Sequence, residues 1–221
     1  MGHWHTTLAC TCFTPDQVPR PSLPEIAVAG RSNVGKSTLI NALLGTKLAH
    51  VSSAPGKTRS INFFHVQVAH TDLAFYLVDL PGYGYAKRGH EERRNWGRLI
   101  EGYAQKRPAL CLMLQLVDFR HGFLENDLMM QDWMRELRLP GQVVFTKADK
   151  IARAHYGRLC RQYAYPEMVS EFPPLVTGAA KRQGVPELGS FLENVVLERR
   201  KDFLGAVPPE ERFPSDPPRE V

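Results

Sequence analysis

The stretch "GRSNVGKS", residues 30 to 37, decides how this chain folds. It satisfies the spacing G-x-x-x-x-G-K-[ST] and stands where an apolar β-type run, "EIAVAG" at 25 to 30, gives way to a helical pattern over 36 to 44. Strand, glycine-rich turn and helix in that order make a phosphate cradle. Gly30 and Gly35 let the backbone of Arg31, Ser32, Asn33 and Val34 wrap a phosphate chain with its N–H groups, while the following helix aims its positive N-terminus at the same charge. Lys36 is placed to reach the β- and γ-phosphates, and the Ser37 hydroxyl to coordinate Mg²⁺.

Outward from that stretch, short β-branched runs alternate with longer amphipathic ones, the pattern of a mostly parallel sheet covered by helices on both faces. The strands expected are 25–30, 61–69, 73–80, 110–118, 142–147 and 173–178; the helices are 36–44, 91–106, 124–138, 153–165 and 185–203. Only "HTD" separates the second and third strands, too short for a crossover, so these two must form an antiparallel hairpin. The fold class is therefore α/β, a P-loop domain with about six strands, one of them antiparallel. Residues 1–22 read as a lead-in with little periodicity, 23–204 as the nucleotide-binding domain, and the proline-rich 205–221 as a disordered tail.

Composition excludes several classes. The longest apolar run, "ALCLMLQLV" at 109 to 117, is about half of what a membrane helix requires, so no span is expected. The N-terminus lacks a positive cluster before an apolar run, and four scattered cysteines form no disulfide framework; both fit a cytoplasmic protein. His3, His5, Cys10 and Cys12 match no common structural zinc spacing. A formal charge of +5 leans towards a polyanionic partner.

Two further motifs close apolar strands. In "DLPG", 79–82, Asp79 can hold Mg²⁺ through water and the Gly82 N–H can report the γ-phosphate, with Leu80 and Pro81 between them. In "TKAD", 146–149, the Asp149 carboxylate can accept both the N1–H and the exocyclic amine of guanine, a donor pair that adenine lacks. Lys147 would lay its apolar stem across the base, flanked by Thr146 and Ala148.

Together "GRSNVGKST", "PGKTRSINFF", "DLPGYGYA" and "TKADK" resemble the EngB (YsxC/YihA) family of bacterial GTPases, over about residues 22 to 200. The resemblance implies GTP hydrolysis and a role in large ribosomal subunit assembly and normal cell division. It further implies that Thr58 ligates Mg²⁺ and closes over the γ-phosphate, with Gly56, Lys57, Arg59 and Ser60 lining the nucleotide. The last guanine loop then aligns with "TGA", Thr177, Gly178 and Ala179. Thr146 stands where GTPases more usually carry asparagine, which predicts weaker bracing of the guanine loop without loss of base choice.

Tyr83 follows Gly82 where other GTPases place a water-orienting glutamine, so the stabilisation that an amide would provide must come from elsewhere. Asn33 is a candidate K⁺ ligand, as in similar GTPases, which would set Lys36, Thr58, Gly82 and Asn33 as the catalytic group. Lys87, Arg88, Arg93, Arg94 and Arg98 follow the sensor and suit an RNA backbone, although Glu91 and Glu92 also fit a solvated helix face. Trp96 and Tyr103 read as core residues, and Asp118, Arg120 and His121 receive no role. The partners expected are GTP or GDP and a ribosomal precursor, without DNA, with the protein itself a monomer. Two rivals are an ATP-using P-loop kinase and a module that binds guanine nucleotide without hydrolysing it, and a further alternative is a septation factor independent of ribosomes.

Overall fold

The protein is described by a computed structural model covering residues 4–49, 60–84, 90–105 and 107–206, with the side chains of 90–96, 204 and 206 left aside. Its strands are β1 (Trp4–Cys12), β2 (Glu25–Gly30), β3 (Ile61–Val68), β4 (Ala74–Asp79), β5 (Leu110–Asp118), β6 (Gly141–Thr146) and β7 (Leu175–Val176). The helices are α1 (Lys36–Leu44), α2 (His90–Ala104), α3 (Glu125–Glu136), α4 (Tyr156–Tyr163) and α5 (Val185–Ala206).

All seven strands form one sheet in the order β1-β3-β4-β2-β5-β6-β7. β3 pairs antiparallel with both β1 and β4, and every other pairing is parallel, so a single strand runs against the rest, as the short "HTD" turn required. Each of the nine residues of β5 is buried, which marks a central strand covered on both faces. Alternation along the strands sorts side chains into two layers. Ile26, Val28, Leu112, Leu114 and Leu116 pack against Leu39, Ile40 and Leu43 of α1 and Leu188, Leu192 and Val196 of α5. Ala27, Ala29, Phe63, Val78 and Met113 pack against Leu99, Ile100 and Tyr103 of α2 and Met130 and Met134 of α3. At about 1.5–3 kcal/mol for each large apolar side chain fully buried, this sandwich carries the stability while the loops at its edge remain available for function.

The sheet corrects the reading of the N-terminus. Within the segment read as a lead-in, Trp4–Cys12 is an edge strand, in register from Trp4 opposite Val68 to Cys12 opposite Ile61. A bulge between Leu8 and Cys10 turns the strand over, so Trp4 meets Phe75 on the α1–α5 side while Cys12 enters the α2–α3 side. The sheet accordingly has seven strands, one more than expected. α5 continues to Ala206, and the remainder of the tail lies outside the described residues.

Candidate functional site

Because β2, β4, β5, β6 and β7 run parallel, Gly30, Asp79, Asp118, Thr146 and Val176 all end at one edge of the sheet. That edge is where open α/β sheets place their ligands. Gly30 has no alternative there: a Cβ would sit 2.8 Å from Val34 Cγ1 and 3.1 Å from Leu116 Cβ. The loop turns through left-handed conformations at Asn33 (φ 63°) and Gly35 (φ 103°) before α1 begins at Lys36. Lys36 is buried, and its Nζ donates to Asp79 Oδ1, itself buried at the end of β4. Two motifs lying 43 residues apart in sequence thus meet as one ion pair at this edge.

The guanine motif is tied to the same loop. Thr146 Oγ1 lies 2.7 Å from the Val34 carbonyl and 3.3 Å from that of Val117, so its hydroxyl bridges the phosphate loop, β5 and β6. The threonine hydroxyl reaches the loop directly. Lys147, left-handed at φ 59°, donates from Nζ to the Asn33 carbonyl at 2.6 Å and lies 3.0 Å from Asp118 Oδ2. The Ala148 amide donates to the Thr177 carbonyl at 3.0 Å, and the Thr177 hydroxyl to the Phe145 carbonyl at 3.1 Å. Gly178 packs so closely on Asp149 that a Cβ would lie 2.8 Å from the Asp149 amide nitrogen and 3.1 Å from its Oδ1. The segment 177–179 therefore stands beside the Asp149 carboxylate.

Asp118, given no role by sequence, is a structural centre of this edge. Its carboxylate accepts Arg120 Nε at 2.9 Å and Nη2 at 2.7 Å and faces Lys147. Burial alone would push its pKa up, yet the hydrogen bonds of Arg120 and Lys147 outweigh that and hold it below the usual carboxylate range. The one signal in the sequence was a "VD" ending a strand at the nucleotide edge.

Tyr83 turns away from the phosphate side. Its ring is buried in the α2–α3 layer, its hydroxyl donates to Asp127 Oδ1 at 3.0 Å, and it accepts from Gln115 Nε2 at 3.0 Å. Desolvation first, and then the neighbouring Asp127 charge, raise the phenol pKa well above its ordinary value, so it remains a donor. Neither Gln115 nor Asp127 was found by reading the sequence, because 32 and 44 residues separate them from Tyr83.

Of the other residues expected at the site, Ser60 is buried at the start of β3, whereas Gly56, Lys57, Thr58 and Arg59 lie outside the described residues. Lys87 and Arg88 also lie outside them, as do the side chains of Arg93, Arg94 and Trp96; Arg98 is exposed on α2, and Tyr103 is a core residue as anticipated.

The comparisons with known proteins agree with this geometry. Residues 25–147 match the family model described as 50S ribosome-binding GTPase. The probable GTP-binding protein EngB of Kosmotoga olearia is 43% identical over 186 residues, 84% of this chain and 95% of that protein. The probable GTP-binding protein EngB of Thermotoga maritima is 40% identical over 186 residues, 84% of this chain and 93% of that one. Among solved structures, Era in complex with MgGDPNP and nucleotides 1506–1542 of 16S ribosomal RNA superposes with a TM-score of 0.61 at 26% identity, over 79% of this chain and 57% of that one. A crystal structure of a probable GTP-binding protein EngB gives a TM-score of 0.59 at 24% identity, over 79% of this chain and all of the other, and shows the shared fold. With its glycine-rich loop and its "DLPG" and "TKAD" motifs gathered on one sheet edge, and with the EngB relatives covering 84% of it, the chain belongs to the EngB family of GTP-binding proteins of the P-loop GTPase class.

Proposed function

We propose that the protein hydrolyses GTP slowly and that its nucleotide state switches its affinity for a precursor of the large ribosomal subunit, which links it to normal cell division and septation. The observation that carries the slow, partner-dependent reading is the inward orientation of Tyr83, whose hydroxyl is engaged by Gln115 and Asp127. No group at position 83 then orients an attacking water, and unassisted GTPases turn over at roughly 10⁻⁴ to 10⁻² s⁻¹. The ribosomal partner is supported by the description of the matched family as 50S ribosome-binding, and the moderately basic charge is compatible with RNA.

In this reading the amides of residues 30 to 37 bind the phosphates, Lys36 exchanges its Asp79 partner for phosphate oxygens, and Gly82 reports the γ-phosphate. Asp149 reads guanine, with Lys147 beneath the base, while Thr146, Thr177 and Asp118 keep the two loops in register. The donor set suits Mg²⁺, which takes hard oxygen ligands: the Ser37 hydroxyl, Asp79 through water and, by family resemblance, Thr58. Bound there, the ion neutralises charge on the β- and γ-phosphates. Asn33, exposed in the phosphate loop, is the proposed K⁺ ligand. The protein acts as a cytoplasmic monomer.

The deciding experiment is phosphate release from GTP in K⁺ and in Na⁺ buffer, with and without large ribosomal subunits. Stimulation by subunits supports the switch, and a K⁺ requirement adds Asn33. Tight GTP binding with background phosphate release in all four conditions replaces this reading with a binding module, and displacement of bound GDP by ATP as readily as by GTP would revive the kinase.

A further inference from the structure

We infer that Tyr83, Gln115 and Asp127 form a latch that holds the γ-phosphate sensor against the phosphate loop, making Tyr83 a positioning residue for triphosphate recognition. The inference rests on the GTP-switch reading above and assigns the part that the tyrosine plays in it.

The backbone of Tyr83 is stitched to the phosphate loop. Its amide donates to the Gly30 carbonyl at 3.3 Å, its carbonyl accepts the Ser32 amide at 3.0 Å, and Arg31 and Tyr83 form a parallel bridge. The preceding residue, Gly82, is thereby brought so near that a Cβ on it would lie 3.4 Å from the Gly30 carbonyl oxygen and 3.5 Å from the Ser32 nitrogen. Where Tyr83 goes, the sensor goes.

The hydroxyl anchors the same residue to α3. Asp127, fully buried, accepts it on Oδ1 and accepts the Leu124 amide on Oδ2 at 3.0 Å, capping the helix. The Gln115 amide, also fully buried, donates to the Tyr83 hydroxyl and to the Asp127 carbonyl at 2.8 Å. Behind it, Gln131 donates to Gln115 Oε1 and accepts the Val169 amide at 2.6 Å and the Tyr165 hydroxyl at 3.1 Å. Phenylalanine, leucine and methionine would fill this space without the demand for partners, and a buried polar network of this kind specifies one arrangement more than it adds stability. On the phosphate-loop side the carboxylate is less engaged: Arg31 Nε is buried without a hydrogen bond, and Asp127 Oδ2 is 3.5 Å away. The carboxylate therefore sits between the loop that binds phosphate and the residue that carries the sensor.

Tyr83→Phe removes the hydroxyl that bonds Asp127 and Gln115. In titrations with Mg²⁺ and either GDP or a non-hydrolysable GTP analogue, it should weaken the analogue relative to GDP by about 3- to 10-fold, the worth of one net hydrogen bond. Tyr103→Phe, which removes a buried tyrosine–carboxylate bond far from the nucleotide edge, serves as the control: it should lower thermal stability and leave that ratio unchanged. Amide hydrogen exchange of nucleotide-free protein tests the geometry by itself, since Tyr83→Phe should speed exchange at Ser32 and Tyr83 and Tyr103→Phe should not. An unchanged ratio in Tyr83→Phe, or exchange at those two amides no faster than in Tyr103→Phe, overturns the latch. Wild type that binds no guanine nucleotide overturns the GTPase reading instead, and the exchange measurement then decides the latch alone.

Discussion

Two buried tyrosines, each bonded to a carboxylate with an arginine beside it, stand at opposite ends of this sheet. At the end away from the nucleotide edge, Glu25 accepts Tyr103 at 2.9 Å and both Arg107 Nε and Nη2, at 2.9 and 2.6 Å. Arg107 spends a third donor on the Pro19 carbonyl and lays its guanidinium over the Tyr103 and Phe63 rings. At the nucleotide edge, Asp127 accepts Tyr83 and its helix cap, and Arg31 Nε forms only a long ion pair with it at 3.5 Å, without a hydrogen bond. The chemical parts are the same, and the difference lies in saturation. A forked arginine on a carboxylate fixes a corner of the scaffold, whereas an incompletely engaged carboxylate leaves an element that can exchange partners when charge arrives.

The sharpest way to break the comparison is to remove each carboxylate's or cation's centre in turn. Glu25→Ala orphans a buried phenol and a buried guanidinium at once, and should cost about 3–5 kcal/mol of stability by urea unfolding. It should leave the ratio of GTP-analogue to GDP affinity unmoved; a changed ratio would mean that the far triad also belongs to the switch. Lys36→Ala is its mirror image. Loss of one or two charge-assisted bonds to phosphate should weaken nucleotide by about 100-fold. Its unfolding free energy should fall less than that of Glu25→Ala, because one charged bond is broken there and three at Glu25. If Lys36→Ala instead unfolds the protein as readily as Glu25→Ala, the ion pair with Asp79 is scaffold and the distinction drawn between the two ends collapses.

The same contrast explains what could be read from the sequence. Phosphate loop, sensor and guanine motif were legible because each is a contiguous run whose spacing encodes its own backbone shape, and each terminates a strand with a strong apolar signature. The hairpin followed from the length of one turn. The edge strand Trp4–Cys12 was not legible, since its bulge breaks the alternation that marks a half-buried strand and sends Thr6 and Cys12 to opposite faces of the sheet. The contact made by Thr146 was not legible for another reason: its partner, the Val34 carbonyl, is 112 residues away, and only the folded sheet brings the two together. Asp118, Gln115 and Asp127 fall in the same class: single polar residues in ordinary positions, given meaning by neighbours that sequence does not place beside them.

The smallest expected effect concerns the charge of Asp127, and it separates this aspartate from Asp118 at the same edge. Burial, opposed by the Leu124 amide, the Tyr83 hydroxyl and Arg31, raises the Asp127 pKa above the ordinary carboxylate value. A folded-state pKa above the unfolded one means that ionised Asp127 costs stability at neutral pH, and the cost fades as pH falls through that raised value. Asp118 has the opposite sign. Held down by Arg120 and Lys147 against its burial, it contributes stability that is fully present above the ordinary carboxylate range and is lost only in stronger acid. The stability of wild type minus that of Asp127→Asn should therefore rise between about pH 7 and about pH 4, while wild type minus Asp118→Asn stays flat over most of that interval and falls only at its acid end. Urea unfolding at several pH values reads both differences. A flat Asp127 difference would show that the latch carboxylate is solvated or fully hydrogen-bonded to Arg31 in solution, and would place the nucleotide-edge triad with the saturated one at the other end of the sheet.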